Sequence, residues 1–339
     1  MITIQPFDKT QDGRAVLSIQ LKNASGMEAH FLSYGAILQK LIVPTNTGSF
    51  KDVVLGFEDL KSYEEDTSFI GQLVGRNANR IALGAVAIDG KKVSLSANEG
   101  NNQLHGGFES FGKKLWEVEN LGDEVVFSYT SIDGEEGFPG NLKTQFFVKL
   151  QEDNELVMRF EAKTDKETIV NLTRHEYFNL EAGDSDSIKN HHLKINASHY
   201  LPKTPANVPS GELRALANTA FDLQKETHLK EAIAAIEGGY DHNYVLNQNR
   251  GQQPAAILMN SDKKLQLHLH CTQPGLQFYS ANGMTNFKGK GVSLKGPSVA
   301  LCLEPQHFPD TPNHENFPTT VLKPNAVYEH QIRYKFYYE

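Results

Sequence analysis

Cysteine is scarce: Cys271 and Cys302 are the only two in 339 residues. That is too few for a disulfide framework and suits a reducing compartment. Both sit in apolar, strand-like runs, where a thiol serves as a small hydrophobic group. Positive charge is not in excess either. The formal net charge is -8, and no long block of like charge occurs, which argues against nucleic acid or an anionic membrane as partner. No apolar run approaches the length that spans a bilayer. The opening Met-Ile-Thr-Ile-Gln-Pro-Phe-Asp-Lys-Thr lacks a basic segment followed by an apolar one, so no signal peptide is expected and the expected location is cytoplasmic. The glycosylation triplets at Asn23, Asn171 and Asn196 are then coincidental. Gly289, Gly291 and Gly296 lack phosphate-loop spacing and its strand–helix setting, so no nucleotide cofactor is signalled.

Regular helix is the remaining shortage. The best stretch is Leu229 to Glu237, with Leu229, Ile233 and Ile236 on one side, Thr227 as cap and Gly238-Gly239 as stop. Strand patterns fill the rest. Val86 and Ile88 are separated from Val93 and Leu95 by Asp89-Gly90, a hairpin turn pair. Thr144 to Gln151 and Glu155 to Thr164 flank Asp153-Asn154, and in the second Leu156, Met158, Phe160 and Ala162 share one face. Leu265, Leu267 and Leu269 alternate with polar residues, as do Val327 to Tyr337 less cleanly. Hairpin-joined strands without intervening helices predict an antiparallel sandwich or barrel. At 39% hydrophobic the chain can bury a large core. Its length suggests two domains, but all-β chains often run long as one. With no linker-like break and no short-period repeat, one domain over 1–339 is expected.

Five stretches carry candidate chemistry. In Val299 to Asp310 an apolar run ends in Glu304, followed by Pro305. Proline disfavours the helical region for the residue before it, which predicts an extended Glu304 at the mouth of the strand Val299–Leu303. A carboxylate at the edge of a core is partly desolvated, which raises its pKa and makes a general base. Gly75 to Ile81 offers Arg76, Asn77, Asn79 and Arg80 as hydrogen-bond donors to a neutral polar ligand. Asn102 to Gly107 sets His105 beside two glycines that permit close backbone approach. Val170 to Leu180 holds His175 between aromatic neighbours, either as a packed core residue or as a proton donor. Gly239 to Val245 is a polar cluster ahead of an apolar strand start, and Asp241 in it can bind sugar hydroxyls.

Together these motifs resemble the aldose 1-epimerase (galactose mutarotase) family from about Gly35 to the C-terminal strand. The likeness rests on Asn79-Arg80, Leu104-His105-Gly106-Gly107, His175 with Tyr177-Phe178-Asn179-Leu180, Tyr240-Asp241-His242-Asn243, Gln277, Leu303-Glu304-Pro305-Gln306 and Pro309-Asp310, in the family's order. It implies the family's large antiparallel β-sandwich, a supersandwich with few short helices. It also implies that Glu304 is the general base and His175 the general acid. Asn79, Arg80, His105, Asp241 and Gln277 then hold the ring oxygen and hydroxyls of the sugar. The implied partner is a small sugar bound by a monomer or homodimer. Three residues depart from the pattern. Arg174 and Glu176 flank His175 where the family often has asparagine and a small residue, and their side chains should point away from it along an extended segment. His307 replaces a frequent asparagine and touches the pocket rim.

The implied reaction is interconversion of the α and β anomers of a free aldohexose, galactose and glucose being the expected substrates. A base takes the C1 hydroxyl proton while an acid protonates the ring oxygen. The open aldehyde rotates about C1–C2 and recloses. No metal or other cofactor is required. His268 and His270 share a strand face at zinc-binding spacing but have no third ligand nearby in sequence. His191-His192 is expected as a solvated loop pair. For an acid and a base to coexist near neutral pH, His175 should have a raised pKa, drawn up by Glu304 and Asp241. Two rival readings are a non-catalytic sugar-binding or regulatory module of the same fold and a glycosidase pairing Glu304 with Asp241.

Overall fold

The computed structural model describes residues 1–181, 183–247 and 252–338. Strands dominate it, and among the described residues the only α-helices are the short Leu60–Glu65 and Leu229–Ala234. The chain starts as a five-stranded meander, Ile2–Lys9 to Phe50–Asp52, in sequence order. A nine-stranded antiparallel sheet follows. Its central strand is the long Tyr328–Tyr338, which joins the hairpin Leu142–Leu150 with Glu155–Thr164 to Leu265–Cys271. Alternation drives the hairpin: Leu156, Met158, Phe160 and Ala162 are buried while the residues between them lean outward.

The two sheets face each other as a β-sandwich. Phe31 of the meander meets Phe127 and Phe146 of the large sheet at ring-centroid separations of 5.8 and 6.1 Å. Each such ring, fully withdrawn from water, contributes about 1.5–3 kcal/mol. Short hairpins close the ends. Ala85–Ile88 pairs with Lys91–Ser94 across Asp89-Gly90, both with positive φ, as that turn pair predicts.

A second five-stranded sheet carries the chemistry, in the order Arg214–Ala215, Ala197–Tyr200, Asp241–Leu246, Gly275–Tyr279, Cys302–Gln306. Two expectations change here. Glu304 lies in the middle of its strand, which runs from Cys302 through Pro305 to Gln306, not at the mouth of Val299–Leu303. The strand tolerates proline because it is the edge of its sheet, where a missing N–H interrupts no ladder. Asp241 likewise begins a strand instead of preceding one. The predicted helix is real but ends at Ala234; its N-cap is His228, and Thr227 belongs to a short strand. His191 is wholly buried, its Nε2 accepting the Leu180 N–H at 3.0 Å, so it is no solvated loop residue.

Candidate functional site

Sheet register brings the first three groups together. Gln277 lies opposite Asn243 on one side and Glu304 on the other, and Asp241 lies opposite Tyr279. His175 comes from outside this sheet, just after the short strand Thr173–Arg174. Its N–H donates to the Gln72 carbonyl at 3.1 Å and its carbonyl accepts from Gly71 N–H at 2.9 Å. The Thr173 hydroxyl donates to the Pro305 carbonyl at 2.7 Å, tying this segment to the Glu304 strand. Arg80 and Leu104 pair across a two-residue ladder, so Asn79 and His105 sit at its ends. Both take left-handed backbone conformations, φ +63° and +52°, which non-glycine residues adopt only under local constraint. Reciprocal bonds supply that constraint: His105 N–H donates to the Asn79 carbonyl, and Asn79 N–H donates to His105 Nδ1.

All seven residues expected at the site line one cavity of about 270 Å³, together with Phe69, Tyr177, Tyr279 and Met284. A larger groove of about 630 Å³ crosses the large sheet over Lys143, Gln145 and Lys163, but none of these seven lines it. The centre of the smaller cavity is a pair. His175 Nε2 stands 3.8 Å from Glu304 Oε2, with side chains 6% and 2% exposed. Glu304 Oε2 and Gln277 Oε1 are buried and accept no hydrogen bond from the described residues, so both are available to a ligand donor.

Around the pair the charges are matched. Arg80 grips Glu99 with two bonds of 2.6 and 2.7 Å, and its other nitrogen is 3.6 Å from Asp241. Asp241 also receives Lys203 Nζ at 3.1 Å and Gln277 Nε2 at 2.6 Å. Burial pushes the Asp241 carboxyl up, but Lys203 and Arg80 outweigh it and hold Asp241 below the usual carboxylate range. It stays ionised.

The pair itself is governed by burial. Loss of water drives His175 down to about 4, the attraction of Asp241 only partly opposing it. The same loss of water, with repulsion from Asp241 and Glu176, raises Glu304 well above its ordinary value. The expectation of a raised His175 pKa is therefore reversed, because desolvation of a fully buried ring exceeds the pull of its acidic neighbours. Both shifts favour the uncharged forms, a neutral imidazole beside a protonated carboxyl. His105 is also held neutral, chiefly by burial. Since its Nδ1 accepts the Asn79 N–H, its proton is on Nε2 and it is a fixed donor.

That tautomer bears on metal binding. Ligand atoms of His105, His175 and Glu304 lie within 4.8 Å of one another. A cation would have to displace the His105 Nε2 proton or break the Asn79 bond, so the trio as hydrogen-bonded lacks a lone pair for a third ligand.

The structure also separates residues that the motifs had grouped. Arg76 lies beside Asn77 and near Arg80 in sequence, yet it is buried and donates to Ser131, Ile132 and Pro139 carbonyls, fixing a loop instead of a ligand. His307 is not among the cavity's lining residues; its backbone N–H donates to Asn171 Oδ1 at 2.9 Å. Asp310 accepts from Ala82 N–H at 2.9 Å and so braces the Arg80 turn. Three contributors had no signature in the sequence. Phe69, with φ +59°, lays its ring 4.6 Å from that of His105 and 5.9 Å from that of His175. Glu99 and Lys203 neutralise charges whose positions only the fold defines. Cys302, expected to be structural, is wholly buried, and its Sγ lies 3.6 Å from His175 Nδ1.

Comparison with known proteins follows the same lines. The family profile described as aldose 1-epimerase matches residues 17–335. The chain is similar to the aldose 1-epimerase of Escherichia coli (strain K12), 36% identical over 334 residues that cover 96% of each chain. It is similar to the galactose mutarotase of Homo sapiens, 37% identical over 312 residues and 91% of each chain. A solved structure of a GalM/aldose epimerase homologue from C. elegans superposes with a TM-score of 0.88 at 30% identity, covering 95% of this chain and 98% of that one.

Proposed function

The chain belongs to the aldose 1-epimerase family of carbohydrate isomerases, and from that premise we propose that it interconverts the α and β anomers of a free, unphosphorylated aldohexose, galactose and glucose foremost. The observation that carries this reading is the His175–Glu304 pair, 3.8 Å apart, dry and facing a monosaccharide-sized cavity. Ring opening moves two protons, one off the C1 hydroxyl and one onto the ring oxygen. It therefore needs a base and an acid that together hold one proton, and the opposite shifts of His175 and Glu304 support such sharing.

In the working form Glu304 accepts the C1 hydroxyl proton and His175 Nε2–H delivers one to the ring oxygen, breaking the C1–ring oxygen bond. The aldehyde rotates about C1–C2. Reclosure returns the ring-oxygen proton to His175 and the Glu304 proton to the new C1 hydroxyl. No atom or charge is left over. In the empty pocket burial favours the proton on Glu304 over His175. Asp241 favours imidazolium but opposes the Glu304 carboxylate, whereas Arg80 favours that carboxylate and so supports transfer of the proton to His175 when sugar is bound. His105 Nε2–H and Asn79 give fixed hydrogen bonds, and Arg80, Asp241 and Gln277 hold the hydroxyls, Gln277 Oε1 being free to accept one.

Charge matching supports the neutral substrate. Among the described residues Arg80 is the only arginine or lysine lining the cavity, and Glu99 and Asp241 already occupy it. A sugar phosphate would face no unpaired cation there. The glycosidase reading fits poorly because Asp241 is already engaged by Lys203, Arg80 and Gln277. The binding-module reading gives no role to a desolvated acid–base pair. Polarimetry of freshly dissolved α-galactose and α-glucose, with and without protein, tests the proposal beside an aryl-glycoside assay. Faster decay to the equilibrium rotation without glycoside cleavage is expected. Decay at the spontaneous rate would remove it.

A further inference from the structure

Two of the residues that depart from the family's pattern, Arg174 and Glu176, face away from the cavity and are completely buried, each side chain 0% exposed. They form an ion pair of 2.7 Å. The Arg174 guanidinium also donates to the Ala36 carbonyl at 2.6 Å and the Gly71 carbonyl at 2.9 Å. The second Glu176 oxygen accepts the Tyr334 hydroxyl at 2.7 Å. Nothing in this network touches the sugar pocket. As a device for stability it is a poor choice, since two charges taken from water recover little beyond what apolar residues of equal size would give.

What the pair supplies is direction. Ala36 and Gly71 both have positive φ, +45° and +66°, and the Arg174 guanidinium ties their two carbonyls together, that of Gly71 also accepting Leu38 N–H at 2.8 Å. The turn at Gly71 is packed tightly: a Cβ there would come 2.5 Å from the Leu38 carbonyl oxygen. Gly71 N–H holds the His175 carbonyl, Gln72 accepts the His175 N–H, and Gln72 N–H donates to the Phe69 carbonyl. Arg174 thus fastens the turn that fixes His175 through both of its backbone groups and sets Phe69 against the imidazole. We propose that Arg174 and Glu176 are positioning residues: an internal clamp that aims His175 at Glu304 and the sugar ring oxygen. Glu176 adds an electrostatic effect, as one of the negative neighbours that favour a protonated Glu304.

This inference rests on the anomerase reading, and its test separates the two. The triple variant Arg174→Met/Glu176→Leu/Tyr334→Phe replaces the network by apolar groups of similar size. Thermal unfolding and circular dichroism establish that it folds, and polarimetry gives kcat, KM and their pH profiles beside the wild type. The expected result is a folded protein with KM for α-galactose near wild type and kcat lower by about tenfold or more, since small displacements of a catalytic group are costly. The alkaline limb of kcat should move to lower pH, because Glu304 has lost a negative neighbour. Should the triple variant not fold, Glu176→Gln decides, with the same two changes expected at smaller amplitude. A folded variant with kcat within twofold of wild type and an unmoved pH profile overturns the clamp, leaving the pair as core filling. A wild type that does not accelerate mutarotation overturns the underlying reading instead.

Discussion

If burial sets the protonation of the pair, wetting the pocket must move it. Phe69 is the wall to open, because its ring packs on both histidines and is itself only partly buried. Lowering an imidazole from 6.5 to about 4 means that the site disfavours the charged His175 ring by about 3 kcal/mol. Phe69→Ala admits water along one face of that ring. If that face supplies a third to a half of the penalty, the His175 pKa rises by about one unit. The sign follows from proton counting. Below the lower pKa the pair holds two protons and no base is left, so the acid limb of kcat/KM lies near 4 in the wild type and near 5 in the variant. The alkaline limb, where the pair loses its only proton, is set by Glu304 and should fall as its carboxylate is hydrated. The profile narrows from both sides. Polarimetric kcat/KM between pH 3.5 and 9 measures it, with circular dichroism at each pH to exclude unfolding. Phe69 is not fully buried, so its loss should cost less than the roughly 3–5 kcal/mol of a core phenylalanine. A folded variant with the wild-type acid limb would refute burial as the cause of the low His175 pKa.

Other outcomes follow from the same structure. His175, His191 and His242 are each held near 4 and His330 near 3, in every case chiefly by burial. A group whose folded pKa is lowered leaves the unfolded chain with more bound protons between about 4 and 6.5, so stability is lost as pH falls through that window. Each of the three held near 4 contributes up to about 3 kcal/mol and His330 up to about 5, opposed in part by Glu304, whose raised pKa acts in the other direction. Calorimetric Tm should therefore fall steeply from pH 7 to pH 4.5; a flat Tm over that range contradicts the burial assigned to these rings. Cys271 and Cys302 are both buried, and burial drives the Cys302 thiol well above its ordinary pKa. Alkylating agents should leave native activity unchanged. Rapid inactivation prevented by galactose would mean that Cys302, beside His175, is reachable and reactive.

Much of the fold was legible because it depends on local pattern. The Asp89-Gly90 turn and the alternation in Glu155–Thr164 each specify a hairpin without help from the rest of the chain. Glu304 in mid-strand was not legible, because proline reads as a terminator unless the strand is known to be an edge. Arg76 and Arg80 come from one short motif yet serve opposite purposes. Only the positions of Ser131 and Glu99, dozens of residues apart, decide which is structural and which faces the cavity. The site residues came from the resemblance, and all seven converge on one cavity. Their protonation did not come with them. Attraction to Asp241 can be anticipated from residue types, whereas the desolvation that outweighs it is a property of the packed pocket. The Phe69 wall and the Arg174–Glu176 clamp escape for a related reason: each works through backbone carbonyls and ring contacts that leave no mark on the sequence.

The central claim is that Glu304 and His175 share the two proton transfers of ring opening, and Glu304→Gln isolates it. The amide keeps the size of the side chain and an acceptor oxygen but cannot take a proton from the C1 hydroxyl. Polarimetric kcat on α-galactose should fall by about two to four orders of magnitude, the range of a lost general base, while KM changes little and the fold is retained. A folded Glu304→Gln protein turning over α-galactose at near the wild-type rate would contradict the account.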